Sequence, residues 1–315
     1  MTIRVGISAC ILGQEVRFNG GHKLDRFIRD TLGQYVEFVP VCPEVEIGLG
    51  VPRETLRLVG QSGSPRRLVA PKSGSDHTET MVSYAKRRVD ELERLELCGY
   101  ILQKSSPSCG MERVKVYPPT EGAAPIKEGR GVFADVLMQQ LPLLPVEEDG
   151  RLNDPILREN FVERIFAYRR LRAFFASSWT IGGLVRFHAA EKLLLMAHQS
   201  YKRLGQLVAN ARNVERESLA REYRRGFLEA MASRSTVNKH VNVLQHIAGY
   251  FRGPLDPASR DEVHDLIEAY RSRMVPLVVV TTLMKHHIRT LELSYLSQQS
   301  YLNPHPRELM LRNHL

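Results

Sequence analysis

At 315 residues and 43% hydrophobic content, the chain is long enough for two domains with real cores and too apolar for a disordered protein. Its formal net charge of +9 is uneven: residues 1–150 carry 19 Lys and Arg against 20 Asp and Glu, while residues 151–315 carry 25 against 15. All four cysteines lie in the first half, there is no signal-peptide pattern, and the longest apolar run, Met274 to Met284, falls short of a membrane span; these features exclude a secreted disulfide scaffold and an integral membrane protein, and point to the cytosol, where thiols stay reduced.

In chain order, Thr2 to Ser8 reads as a buried strand, with Ile3, Val5 and Ile7 alternating with small or polar residues. Leu24 to Leu32 has helical spacing, and Tyr35 to Val41 is a second strand. Pro43 to Ala70, rich in Gly, Pro and Arg, reads as loop. A helix is expected from Asp76 to about Leu97, facing its core through Met81, Val82, Tyr84, Ala85, Val89, Leu92 and Leu95. Tyr100 to Leu102 and Val114 to Tyr117 are further strands, and Val132 to Leu141 a further helix. Strands alternating with helices argue for a Rossmann-like α/β domain over residues 1–150, built on a parallel sheet. Glu147 to Leu152 reads as a linker. From residue 151 to 315 the pattern is helical, at roughly 155–175, 183–210, 215–232, 236–250, 259–273 and 276–299, which describes a basic all-α accessory domain.

Three segments carry chemistry: Ser8-Ala9-Cys10-Ile11-Leu12-Gly13, Val41-Cys42-Pro43-Glu44 and Ser105-Ser106-Pro107-Ser108-Cys109-Gly110. Each cysteine falls at, or a few residues past, the C-terminal end of an expected strand, the edge at which open α/β sheets bind ligands. Cys10, Cys42 and Cys109 can therefore meet in space. Three thiolates leave one position of a metal site open, as catalytic sites require, whereas closed structural sites take four. The same residues also allow three buried structural cysteines, since cysteine is common in cores. Cys98, at a helix end, reads as a core residue.

The three segments, with Arg17-Phe18-Asn19-Gly20, Gly48 and Pro52-Arg53, resemble the thiouracil desulfidase family, whose motif runs S-A-C-L-L-G…R-Y-x-G, C-P-E…G…P-R and S-P-S-C-G. The likeness covers most of residues 3–145 and departs only at Ile11 and Phe18. It implies a [4Fe–4S] cluster bound by Cys10, Cys42 and Cys109, with one open iron for the exocyclic sulfur of 2-thiouracil or a similar thiobase; three thiolates would also suit a [3Fe–4S] cluster. It implies Glu44 as the proton-transfer group, Ser106 as the group orienting water or substrate, and Ser8, Arg17, Arg53 and Ser108 as substrate-binding candidates. Read without the resemblance, Glu44 is a strand-end carboxylate that could pair with Arg17 or Arg53, and Ser106 a turn residue before Pro107. The second half, through His198-Gln199-Ser200-Tyr201-Lys202-Arg203-Leu204-Gly205, Leu244 to Phe251 and Gln299-Ser300-Tyr301-Leu302, resembles a helical domain often fused behind the first, of no known function.

Three functions follow as expectations: a desulfidase acting on free thiobases, an RNA-directed protein in which the basic half presents thiolated tRNA, and a cluster-bearing regulator. The first is favoured, with a small-molecule substrate and no membrane partner. Arg169-Arg170-Leu171-Arg172 and Arg221-Glu222-Tyr223-Arg224-Arg225 could contact phosphates, but acidic residues interleave elsewhere.

Overall fold

The computed structural model describes residues 2–61, 65–120, 123–198 and 201–315. The chain divides into two compact units, Met1–Asn153 and Asp154–Leu315.

The first unit is α/β. Its central sheet is parallel throughout, in the order β2 (Glu37–Val41), β1 (Arg4–Ser8), β5 (Gly99–Leu102), β8 (Val146–Glu148). Strand β1 lies between β2 and β5, so both its edges are paired, and its Val5 and Ile7 are fully buried. The segment after β1 turns through single helical turns at Phe27–Thr31 and Leu32–Gln34 rather than one helix. Residues 43–70, expected as loop, hold a short helix α1 (Pro43–Glu46) and strands β3 (Arg57–Val59) and β4 (Arg67–Val69). Each of these strands is three residues long and buries one leucine, Leu58 or Leu68, which is too little for a periodic signal.

Helix α2 (Thr78–Arg94) buries Met81, Tyr84, Ala85, Val89 and Leu92 along one stripe, leaving Val82 at its margin. Strands β6 (Val114–Tyr117) and β7 (Ile126–Gly129) join β3 and β4 in a separate mixed sheet, β4-β3-β6-β7. Val114–Tyr117 is thus not a strand of the parallel sheet. Helix α3 (Val132–Gln140) packs on α2, with Phe133 and Tyr84 ring centroids 6.3 Å apart. The expected linker is instead edge strand β8 (Val146–Glu148) and a turn at Arg151–Asn153. Glu147 and Glu148 are buried there because Arg151 binds Glu147 at 2.6 Å and the Met111 N–H donates to Glu148 at 2.7 Å.

The second unit is helical: α4 (Pro155–Ala176), α5 (Ile181–Ala197), α6 (Tyr201–Ala209), α7 (Arg216–Ala232), α8 (Val237–Ala248), α9 (Pro257–Arg271), α10 (Leu277–Thr290) and α11 (Ser294–Ser297). The stretch expected as one helix over 183–210 contains α5 and α6; Gln199 and Ser200 fall outside the described residues. Inside this bundle Arg312 binds Glu159 at 3.2 Å and Glu163 at 2.6 Å, and His198 and His314 close the network on the same carboxylates. Arg170, from one of the basic runs, is likewise committed to Glu191 at 2.6 Å.

Next to this network, burial, together with the charge of Arg312, pulls the His240 imidazole from its ordinary 6.5 down to about 3. His240 stays neutral in the fold while the unfolded chain protonates below 6.5, so unfolding takes up a proton and stability falls as pH drops. A decline of about 1.4 kcal/mol per pH unit from this group is expected between 6.5 and 3. Urea unfolding of the full chain at stepped pH checks this, and His240→Gln should flatten the slope.

Candidate active site

The three segments singled out in the sequence end neighbouring strands. Past Ser8, Ala9–Leu12 makes a tight helical turn carrying Cys10, closed by Gly13 at φ 94, a left-handed conformation that suits glycine. Cys42 follows the last residue of β2 and precedes α1, where Pro43 occupies the first helical position. The Glu46 carboxylate reaches back to accept the Cys42 N–H at 3.0 Å, tying the start of α1 to its own last residue.

Cys109 lies in the loop after β5. Ser106 Oγ accepts the N–H groups of Ser108 at 3.2 Å and Cys109 at 3.0 Å, and Gly110 N–H returns to the Ser106 carbonyl at 2.8 Å. Helix α3 then starts against this loop. Its early N–H groups, from Val132 and Phe133, donate to the carbonyls of Pro107 and Ser108 at 3.1 and 3.0 Å, so the loop caps the helix. Such close approach requires Gly131: a Cβ there would overlap the Ser108 carbonyl and sit 2.7 Å from the Cys109 nitrogen. Gly131→Ala is therefore expected to cost about 1–3 kcal/mol, because backbone and not a flexible side chain must move. A lower urea midpoint checks this, and iron binding should weaken with it.

Cys10, Cys42 and Cys109 line one cavity of about 490 Å³. All three thiols are free. Burial pushes each of them up, Cys10 to about 12; Cys42 and then Asp149 add to the effect at Cys10, Glu44 adds to it at Cys42, and at Cys109 a hydrogen bond from Ser8 partly counters it while Glu44, Cys10 and Cys42 add to it. Such thiols become thiolates together only around positive charge. Among the described residues no three His, Cys, Asp or Glu side chains are drawn close enough to hold a single metal ion.

Glu44 and Ser106 line the same cavity, as do Ser8, Arg17 and Arg53. Arg53 grips one oxygen of Glu44 through Nε at 2.8 Å and Nη2 at 2.6 Å, and its other hydrogen bonds go to the Gly50 and Val16 carbonyls. Ser108 is fully buried and donates to the second Glu44 oxygen at 2.8 Å. It is not presented to the cavity, so it stands behind Glu44 rather than among the groups a ligand would touch. Ser8 Oγ accepts the Gln103 N–H at 3.0 Å. Arg17 stacks on Phe18, 5.5 Å from the ring centroid, with no hydrogen bond or ion pair to its guanidinium among the described residues.

Three polar lining residues, Gln103, Asp149 and Lys23, were not singled out in the sequence. Gln103 accepts a hydrogen bond from the Cys10 thiol at 3.5 Å. Asp149 accepts the Lys104 N–H at 2.8 Å, and burial raises its carboxyl above the ordinary range. Lys23 completes the three, and Lys104, which the sequence allows as a solvated charge, lines the cavity as well. The signal for Asp149 was its place after a strand that pairs with β5, hidden because the acidic run Glu147-Glu148-Asp149 resembles a solvated linker.

Residues 5–149 match the family described as 2-thiouracil desulfurase, and residues 192–306 match DUF1722, a family of unknown function. The uncharacterised protein YbgA of Escherichia coli K12 is 31% identical over 153 residues, which are 48% of this chain and 90% of that protein. The uncharacterised protein YbbK of Bacillus subtilis 168 is 31% identical over 137 residues, 42% of this chain and 88% of that protein. Among solved structures, the [4Fe-4S]-dependent thiouracil desulfidase TudS is 26% identical, with a TM-score of 0.40, covering 49% of this chain and 95% of that one. No helix among the described residues is long and apolar enough to cross a membrane.

Proposed function

Because the chain belongs to the 2-thiouracil desulfurase family through residues 5–149, we propose that its cavity removes sulfur from a thiolated nucleobase, using a [4Fe–4S] cluster held by Cys10, Cys42 and Cys109. The observation that carries this reading is the meeting of three cysteines from three strand ends with Glu44 at one cavity. The donor set fits the group: three soft sulfur ligands lining one cavity, none committed to a disulfide. When bound, a cluster with three protein ligands supplies a soft Lewis-acidic iron suited to sulfur.

The remaining work falls to the chain. Ser108 and Arg53 fix the Glu44 carboxylate from opposite sides, so it faces the cavity in one orientation. In that position it accepts a proton from the water that attacks the thiocarbonyl carbon. The carbon–sulfur bond then breaks, sulfur departs as sulfide, and the base keeps the water oxygen as a carbonyl. Thiobase and water give base and hydrogen sulfide, with no electrons gained or lost. Ser106 spends its lone pairs on two backbone N–H groups, leaving its own O–H to orient water or substrate.

A second reading, in which the thiobase is presented within RNA, is favoured by two observations. Residues 151–315 carry the basic excess, 25 Lys and Arg against 15 Asp and Glu. Arg17, Lys23 and Lys104 bring cationic side chains to the cavity itself. The test is sulfide release by anaerobically purified protein from free 2-thiouracil and from thiolated tRNA, with iron measured on the same sample. Release from the free base establishes the first reading. Release from RNA alone, weakening steeply with salt, establishes the second. Bound iron without release from either leaves a cluster-bearing regulator, and no bound iron overturns the proposal.

A further inference from the structure

Tyr100 presents an unexplained group. It stands on β5 with no solvent exposure, and its hydroxyl has no hydrogen-bond partner among the described residues. Its ring fills a slot that exists because residue 6 on the neighbouring strand is glycine; a Cβ there would overlap the ring. Phe133 covers the other side, with centroids 5.9 Å apart. Phenylalanine would fill this slot equally well. Keeping the hydroxyl leaves its desolvation unrecovered, so a partner is expected in the working state.

The neighbours narrow the choice of that partner. Tyr84, on α2, donates to Glu46 at 2.6 Å, and neither its oxygen nor a Glu46 oxygen makes a hydrogen bond with the Tyr100 hydroxyl. Glu46 also accepts the Cys42 N–H and faces Arg88, 3.3 Å away. Cys109 is different. After burial itself, it is the strongest influence on the Tyr100 phenol, which both effects push upward. Phe133, which packs on the Tyr100 ring, donates its N–H to the carbonyl of Ser108, the residue before Cys109. A neutral thiol is a weak acceptor, whereas a metal-bound thiolate or a cluster sulfide is a good one.

We propose that the Tyr100 hydroxyl is a positioning group for the cluster, donating its hydrogen bond to sulfur at the Cys109 corner. This rests on the cluster reading above. Outer-shell donors of this kind hold metal centres about 10–100-fold more tightly than their deletions do.

The test is Tyr100→Phe in the full chain, purified and reconstituted anaerobically beside the wild type. In the metal-free state the variant should unfold at the same or a higher temperature, since it loses only an unsatisfied hydroxyl. In the iron-loaded state it should release iron to a chelator about 10-fold faster. Its visible absorption and its reduction potential, the latter moving negative, should differ from wild type. Equal release rates with an unchanged spectrum and potential would overturn the proposal, as would a metal-free variant markedly less stable than wild type, which would mean the hydroxyl already has a structural partner. Iron uptake by the wild type is read on the same day: its absence strikes at the cluster reading, while its presence with no difference between the proteins strikes only at Tyr100.

Discussion

Glu44→Gln should reduce sulfide release about 10²–10⁴-fold while the iron content of the reconstituted protein stays at the wild-type level. The substitution keeps the shape of the side chain. The amide oxygen can still accept from Arg53, and the amide nitrogen can face Ser108, whose hydroxyl turns to accept instead. What is lost is the ability to take a proton. The structural cost is confined to a partly buried ion pair whose side chains are 6% and 14% exposed, replaced by a hydrogen bond to a charged group; a loss of about 1–3 kcal/mol is expected. The fall should appear in kcat and not in KM, because Glu44 acts on water and not on the ground-state base. Activity within a few-fold of wild type would reduce Glu44 to an anchor for Arg53, the simpler of the two roles its sequence position allows.

Alanine in place of Cys10, Cys42 or Cys109, one at a time, should lower bound iron from about four atoms per chain to background and abolish sulfide release. On the proposed reading each cysteine is one of three ligands, and no other sulfur among the described residues lines the cavity. The metal-free proteins should remain folded, with stability within about 1 kcal/mol of wild type, because a buried neutral thiol behaves as a small apolar side chain. Cys98→Ala supplies the control: that residue is 2% exposed, lies outside the cavity lining, and its loss should leave iron and activity in place. Full iron retention by any one of the three variants would return that cysteine to the core.

How far these features were legible in the sequence depended on how each residue meets its surroundings. The three cysteine loops were legible because β1, β2 and β5 are short, mostly apolar runs that end at Ser8, before Cys42-Pro43 and before Gln103-Lys104, so each cysteine could be placed past a strand end without knowing the strand order. Strand β7 was not: three of its four residues, Ile126, Lys127 and Glu128, are exposed, so nothing alternates. Strand β8 was misread because Glu147 and Glu148 are charged yet buried, and their partners at Arg151 and Met111 become visible only in the fold. The same holds in the helical unit. Glu159 and Glu163 resemble surface residues of α4 until Arg312, 153 and 149 residues further along, closes on them. Local pattern reports hydropathy; it does not report a distant counter-charge.

The parallel sheet also sets an order of events during synthesis. Its first strand is an interior one, and the Cys10 thiol is held by Gln103, 93 residues later. As the chain leaves the ribosome, β1 can meet β2 early, but the pocket has no far wall until β5 and its cysteine loop emerge, and no floor at Asp149 until β8 follows. Contacts of such long sequence separation form slowly. Cys10 is made 99 residues and Cys42 67 residues before Cys109, and both wait apart and exposed to oxidants over that interval; on the proposed reading, iron delivery has its first opportunity only when the last strand is in place, while the helical unit is still being made.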